Sequence, residues 1–351
     1  MLAPAVLCIG LLAVVGFIAW QGAGQVGAIA GRLGWGVAWL PVLYVVSLTL
    51  AALSWRCLFP APSAPRLRTL IKAMWIGRSV NGLLPSGGVT GEVVRARLLM
   101  GSGHPGRAVG ASLVLDKTVQ ALAIVVQGAA AGAVLPLLGA PSKVVFAAVA
   151  GWALLALGVL GFVLVQRAGM FSALTRGAAA ALRHRRCRTL IERARRLDAA
   201  VRGLHRHAGR IAWACVLRLG FRFALVAELW LISVLVQHPI GVLDAFMIEG
   251  LSAVLRGAAF IVPGALGVQE GSYMALGAIV GLDPALMLAL ALSKRAREVM
   301  VGLPGLMAWQ AAEGRSFLRG LGGIGLPHWR RGSVRSSRSV SPRRPCQGRR
   351  R

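Results

Sequence analysis

Apolar residues run along this chain in blocks of about 20, the length that carries an α-helix across a bilayer core. Such blocks occupy 2–20, 37–55, 108–135, 144–166, 211–236 and 284–312. Two further apolar stretches, 67–100 and 241–281, are broken in the middle by PSGG and PGALG. The pattern predicts an all-α polytopic integral membrane protein with six full spans. The two broken stretches read as re-entrant hairpins, one entering from each side; in the alternative, the second stretch crosses twice and gives eight spans. Non-helical backbone at that depth is tolerated where it is buried in protein or lines a wet cavity. The first block lacks the basic flank of a cleaved leader, so a retained helix is expected there.

Composition agrees with this pattern. Hydrophobic residues make up 56% and charged residues 15%, against roughly 25% charged in soluble domains, and the mean hydropathy is +0.69. The formal net charge of +29 is concentrated: 31 of the 40 Lys and Arg fall in 56–107, 167–210 and the stretch after Glu313. The short loops at 21–36, 136–143 and 237–240 carry only Arg32 and Lys143. The positive-inside rule therefore predicts that the basic blocks and both termini are cytoplasmic. Within the loop 167–210, Leu190, Ala194, Leu197, Val201 and Leu204 recur at helical spacing among arginines, which predicts a basic amphipathic helix lying on the anionic inner leaflet. The tail 314–351 is rich in Arg, Ser and Pro, and disorder is expected. Nucleic acid is not expected as a partner, because no stacking aromatics follow Trp329.

The two broken stretches share a frame. Arg78, Pro85 and Glu92 in RSVNGLLPSGGVTGE recur as Arg256, Pro263 and Glu270 in RGAAFIVPGALGVQE, at an offset of 178. The same offset sets Asp116-Lys117 over Lys294-Arg295, and GRLGW at 31–35 over GRIAW at 209–213. With the charge-derived orientations, this predicts an inverted repeat within an integral domain of 1–313, with halves of about 31–135 and 209–313.

Glu92, Asp116, Glu228, Glu249, Glu270 and Glu298 lie in or beside apolar segments, with Arg78, Arg95, Lys117, Arg218, Arg222, Arg256, Lys294, Arg295 and Arg297 as available partners. A charge at mid-bilayer costs about 2.5–3.5 kcal/mol on insertion scales, so such residues pair or face a polar cavity. One reading makes Asp116-Lys117 and the run 294–298 structural ion pairs. The other lines a cavity for an anionic headgroup with Arg78, Arg256, Lys117 and Arg295, held or proton-coupled by Glu92 and Glu270. Half-helix N-termini at the breaks favour anions in the second reading.

Nothing in the sequence calls for a metal or a cofactor. Cys8, Cys57, Cys187, Cys215 and Cys346 show no CxxC spacing, and His205-x-His207 has no third ligand nearby. P-loop, GxSxG and HExxH signatures are missing from the sequence.

NGLLPSGGVTGEVVRARLL, ASLVLDKTVQ, IVPGALGVQEGSY and ALSKRAREVMVGLPGLMAW together resemble the flippase-like membrane domain of lysylphosphatidylglycerol synthases. Within that group the likeness is to the stand-alone hopanoid-biosynthesis-associated branch, over residues 5–313. The resemblance implies a bacterial inner-membrane protein that binds or translocates lipids. It marks Pro85, Gly88, Gly91 and Glu92 in the first motif and Pro263, Gly264, Gly267 and Glu270 in the second. Asp116-Lys117 departs from the family's Glu-Arg-like pair. The aminoacyl-transfer domain of the full synthases has no counterpart here, so lysyl transfer is not expected. The expected function is lipid transport, with a hopanoid or another polar-headed lipid as cargo. The alternatives are a lipid-modifying enzyme using Glu92 or Glu270 as base, and a scaffold for lipid-biosynthesis proteins.

Overall fold

The computed structural model describes residues 39–60, 63–84, 89–182, 187–258 and 267–322. Every regular element among them is helical. The chain is an all-α polytopic membrane protein. The expected first span, 2–20, and the stretch GRLGW lie outside the described residues.

The first half contains α1 (Trp39–Cys57), α2 (Leu67–Leu83), α3 (Thr90–Gly101) and α4 (Gly106–Val134), then a short 3-10 turn, Leu135–Leu138. α1 and α4 begin and end within two residues of the apolar blocks that predicted them. The turn after α4 closes on Gly139 at φ 72°, where a side chain would be strained. α5 (Ser142–Ala168) follows Pro141 and stops at Gly169. Few of its side chains are buried within the protein, leaving Phe146, Leu154, Leu157 and Leu160 exposed on an apolar face. Water would not tolerate that face; lipid would.

Next come α6 (Met170–Leu182) and α7 (Cys187–His205). Buried Asp198 of α7 accepts bonds from the N–H groups of Phe171 and Ser172, at 3.1 and 2.8 Å, so α7 caps the start of α6. The structure corrects the expected role of α7's apolar face. Val201 is 1% exposed, and Leu197 and Leu204 pack beside it in the apolar cluster to which α4 also contributes. That stripe covers protein rather than the leaflet, because α4 offers an apolar wall alongside it.

The second half contains α8 (Ala208–Leu235), α9 (Val242–Ala258), α10 (Val268–Ile279) and α11 (Pro284–Gly322). Helix α11 continues past residue 313, where the sequence predicted disorder to begin; residues 323–351 lie outside the described residues. The chain divides into two compact units, 1–310 and 311–351.

By length and composition α1, α4 with its following turn, and α5 qualify as spans among the described residues. Helices α8 and α11 are 28 and 39 residues long and so exceed the 30 Å core, at about 1.5 Å per residue. Their charges set them apart, and those charges point inward: Arg218, Arg222, Glu228, Lys294, Arg295 and Arg297 are all buried.

The broken stretches form two packed pairs, α2 with α3 and α9 with α10. The arms have 17 and 12 residues in the first pair and 17 and 12 in the second. A 12-residue arm reaches only about 18 Å. Helices α3 and α10 start and end 178 residues apart, and α4 and α11 start at the same offset. At the α2–α3 crossing, a Cβ on Gly91 would strike the Gly77 carbonyl and the Asn81 side chain. Gly91 donates its N–H to Asn81 Oδ1 at 2.8 Å.

Two large apolar clusters form the core. One joins α1, α2, α3 and the starts of α4 and α8. The other joins the ends of α4 and α8 with α9, α10 and the start of α11. Between them, at mid-length on α4, α8 and α11, lies a polar layer.

Candidate functional site

On α8 the layer is Arg218, Arg222 and Glu228; on α4 it is Asp116, Gln120 and Gln127. The interior of a long apolar helix is an expensive place for these groups, so their pairing can be followed residue by residue.

Asp116, 1% exposed, is held by Arg218 and, at 2.8 Å, by Arg95. Arg95 also reaches Glu92 at 2.6 Å and lies 4.0 Å over the Trp55 ring. Lys117 closes this cluster on Glu92 at 2.7 Å. Four helices and both halves contribute, because Arg218 comes from α8.

A second cluster centres on Glu249, which is fully buried on α9. Lys294 approaches it at 2.7 Å, Arg256 at 3.2 Å and Arg222 at 3.9 Å. The Tyr273 hydroxyl donates to it at 2.5 Å. Arg222 also donates to Gln127 Oε1 of α4 at 2.5 Å and to the Glu249 carbonyl at 3.2 Å. Arg256 is further held by Gln269 at 2.8 Å. Nearby, Arg297 pairs with Glu228 at 2.7 Å, and Arg295 bridges Glu298 at 3.0 Å and Glu270 at 3.5 Å.

A cavity of about 300 Å³ opens beside the second cluster, lined by Arg78 of α2, Gln120 and Ile124 of α4, Phe221, Arg222 and Leu225 of α8, Glu249, Ala253, Arg256 and Gly257 of α9, and Lys294, Arg297 and Glu298 of α11. Five cations face two carboxylates in that lining. A smaller cavity of about 180 Å³ adjoins it and shares Arg78, Arg297 and Glu298. Arg78 stands at the junction. Its guanidinium lies 4.4 Å over the Phe221 ring, and among the described residues it has no carboxylate partner.

The expected residues fall into four groups. Arg78, Arg256 and Lys294 line the cavity. Glu92, Asp116, Lys117, Glu270 and Arg295 lie in the ion-pair clusters instead; Lys117 and Arg295, expected as lining residues, engage Glu92 and Glu270. The reason is register: in the run 294–298, Lys294, Arg297 and Glu298 are the members that face the cavity. Gly91 serves the helix crossing, and Gly267 starts α10 at φ 75°, a backbone conformation that suits glycine. Pro85, Gly88, Pro263 and Gly264 lie outside the described residues.

The pairings obey the offset found in the sequence. Glu92–Lys117 and Glu270–Arg295 are the same pair 178 residues apart, and Asp116 with Arg95 corresponds to Lys294 with Tyr273.

Sequence reasoning grouped Glu249, Arg222 and Arg297 only with the charges of the apolar segments, and passed over Tyr273. The scarcity of such groups was the available signal, since the chain has 11 acidic residues and two tyrosines.

The sequence matches the family described as lysylphosphatidylglycerol synthase TM region over residues 7–305. No curated protein and no solved structure shows a significant match to the chain.

Proposed function

The chain belongs to the lysylphosphatidylglycerol synthase TM-region family, and from that premise we propose that it translocates a membrane lipid whose anionic headgroup enters the Arg78–Arg256 cavity. One observation carries this reading. Two arginines at equivalent positions of the repeated frame, on α2 and α9, line a single cavity of about 300 Å³.

Charge balance supports it. The polar layer holds nine cations, Arg78, Arg95, Lys117, Arg218, Arg222, Arg256, Lys294, Arg295 and Arg297, against six carboxylates, Glu92, Asp116, Glu228, Glu249, Glu270 and Glu298. Each surplus cation at mid-bilayer costs about 2.5–3.5 kcal/mol. A phosphate or phosphodiester headgroup offsets that cost through bidentate contacts of the kind guanidinium favours. The cavity has room for a headgroup, while two acyl chains must remain outside in lipid.

The halves 31–135 and 209–313 are taken as an inverted duplication, with α2–α3 and α9–α10 as re-entrant hairpins. The equal arm lengths, the matched helix starts and the duplicated Glu–cation pair support this. Alternating exposure of the cavity then follows from rocking one half against the other. The basic blocks support a reading in which both termini are cytoplasmic and the membrane is a bacterial inner membrane. The cargo argued here is defined by its negative headgroup; the hopanoid assignment rests on the sequence resemblance alone.

The test uses proteoliposomes with a fluorescent anionic phospholipid, read by quenching of the outer leaflet. Wild-type protein should raise the exchange rate between leaflets, and Arg78→Gln with Arg256→Gln should abolish the increase. Wild-type vesicles indistinguishable from empty ones, or a covalently altered lipid, would count against transport.

A further inference from the structure

A second and larger cavity lies away from the polar layer, where several membrane helices begin or end. Its volume is about 680 Å³. Leu58 lies just past the end of α1, Arg107 in the first turn of α4 and Arg210 in the first turn of α8. The remaining wall is a stripe of α7 that includes Arg196, Ala200 and Gly203.

The lining divides by chemistry. Leu58, Ala108, Ala111 and Leu204 make an apolar wall, while Arg107, Arg196 and Arg210 form an exposed rim. Among the described residues Arg107 and Arg210 have no carboxylate partner. Arg196 has only the exposed Glu192, at 3.7 Å, a pair worth little in water. Both helix starts, at Pro105 and His207, also lack a side-chain cap. The rim is therefore cationic, with Glu192 as its one exposed counter-charge among the described residues, and it stands beside apolar surface at the end of α1 and the starts of α4 and α8.

We propose that this cavity binds one anionic phospholipid of the arginine-rich, cytoplasmic leaflet. The phosphate sits among Arg107, Arg196 and Arg210, and the glycerol and upper chains lie against Ala108, Ala200 and Leu204. Charge complementarity selects an anion, and the apolar wall selects one that carries chains. An acidic peptide would satisfy the rim but leave the partly exposed Ala108 and Leu204 without an apolar partner. This site is separate from the central cavity and does not depend on the transport reading. It also gives α7 a role: its buried stripe fixes the helix to α4, and the neighbouring stripe completes the lipid site.

Native mass spectrometry of the full chain, delipidated and incubated with short-chain phosphatidylglycerol or phosphatidylcholine, counts retained lipids. Wild type should hold phosphatidylglycerol at this site at least tenfold more tightly than phosphatidylcholine. Arg107→Gln with Arg210→Gln should lose one phosphatidylglycerol, and should lose one again when introduced into an Arg78→Gln background in which the central cavity is already disabled. Glycerol 3-phosphate, which has no chains, should not displace it. Unchanged retention in the double variant, equal retention of phosphatidylcholine, or displacement by glycerol 3-phosphate or an acidic peptide would each overturn the proposal. Circular dichroism confirms that the variants are folded.

Discussion

Replacing Glu249 by glutamine removes the anion on which Lys294, Arg256 and Arg222 converge at 2.7, 3.2 and 3.9 Å. Glu249 is 0% exposed and Lys294 2%, so the ion pair itself is shielded from bulk water even though a cavity opens beside it. Glutamine still fits and still accepts from Tyr273, but its amide nitrogen cannot accept from Arg256 as the second carboxylate oxygen does. Breaking a buried pair by deleting one partner costs about 3–5 kcal/mol, because the other charge is left stranded. Here one carboxylate serves three cations, so the upper end of that range is expected. Adding Lys294→Met deletes one stranded charge, and about 1.5–3 kcal/mol should return as a favourable coupling between the two sites. The assay is reversible unfolding in mixed micelles, followed by circular dichroism, for the single variants and the pair. A Glu249→Gln protein within about 1 kcal/mol of wild type would refute the reasoning, since surface pairs alone show costs that small.

Other outcomes follow from the same geometry. Asp116→Asn strands Arg218 and leaves Arg95 with Glu92 alone, and should also cost about 3–5 kcal/mol in the unfolding assay. Arg78→Gln should cost less than about 1 kcal/mol, because Arg78 breaks no ion pair, yet it should weaken anionic lipid binding at least tenfold in a titration. Gly91→Ala forces a Cβ into the Gly77 carbonyl, so a loss of about 1–3 kcal/mol is expected from overpacking; the same change at Gly132, which has open space around it, should be close to neutral in the same unfolding measurement.

Periodicity and charge made much of the architecture legible. Blocks of apolar residues located α1, α4, α5, α8 and α11, because lipid-facing helices must be apolar over their whole length. The Pro-Gly breaks located the boundaries between α2 and α3 and between α9 and α10, since glycine and proline end helices wherever they sit. Arg78 and Arg256 were legible through their shared spacing, and both line the central cavity. Lys117 and Arg295 were placed in that cavity and instead hold carboxylates. Only packing decides which way adjacent charges on one helix turn, and composition carries no record of it. Glu249 was obscured for the same reason: its partners come from α8, α9 and α11, far apart in sequence. The apolar stripe of α7 was read correctly as a stripe and assigned to the wrong neighbour, because a protein wall and a lipid surface demand the same residues.

The central claim is that the two halves share a cavity built for an anionic lipid headgroup. Titrating purified protein with short-chain phosphatidylglycerol and phosphatidylcholine tests it most directly, in an Arg107→Gln/Arg210→Gln background that silences the peripheral cavity. The account predicts saturable binding of the anionic lipid alone, weakened at least tenfold by Arg78→Gln and again by Arg256→Gln. Equal binding of both lipids, or anionic binding indifferent to both substitutions, would contradict it.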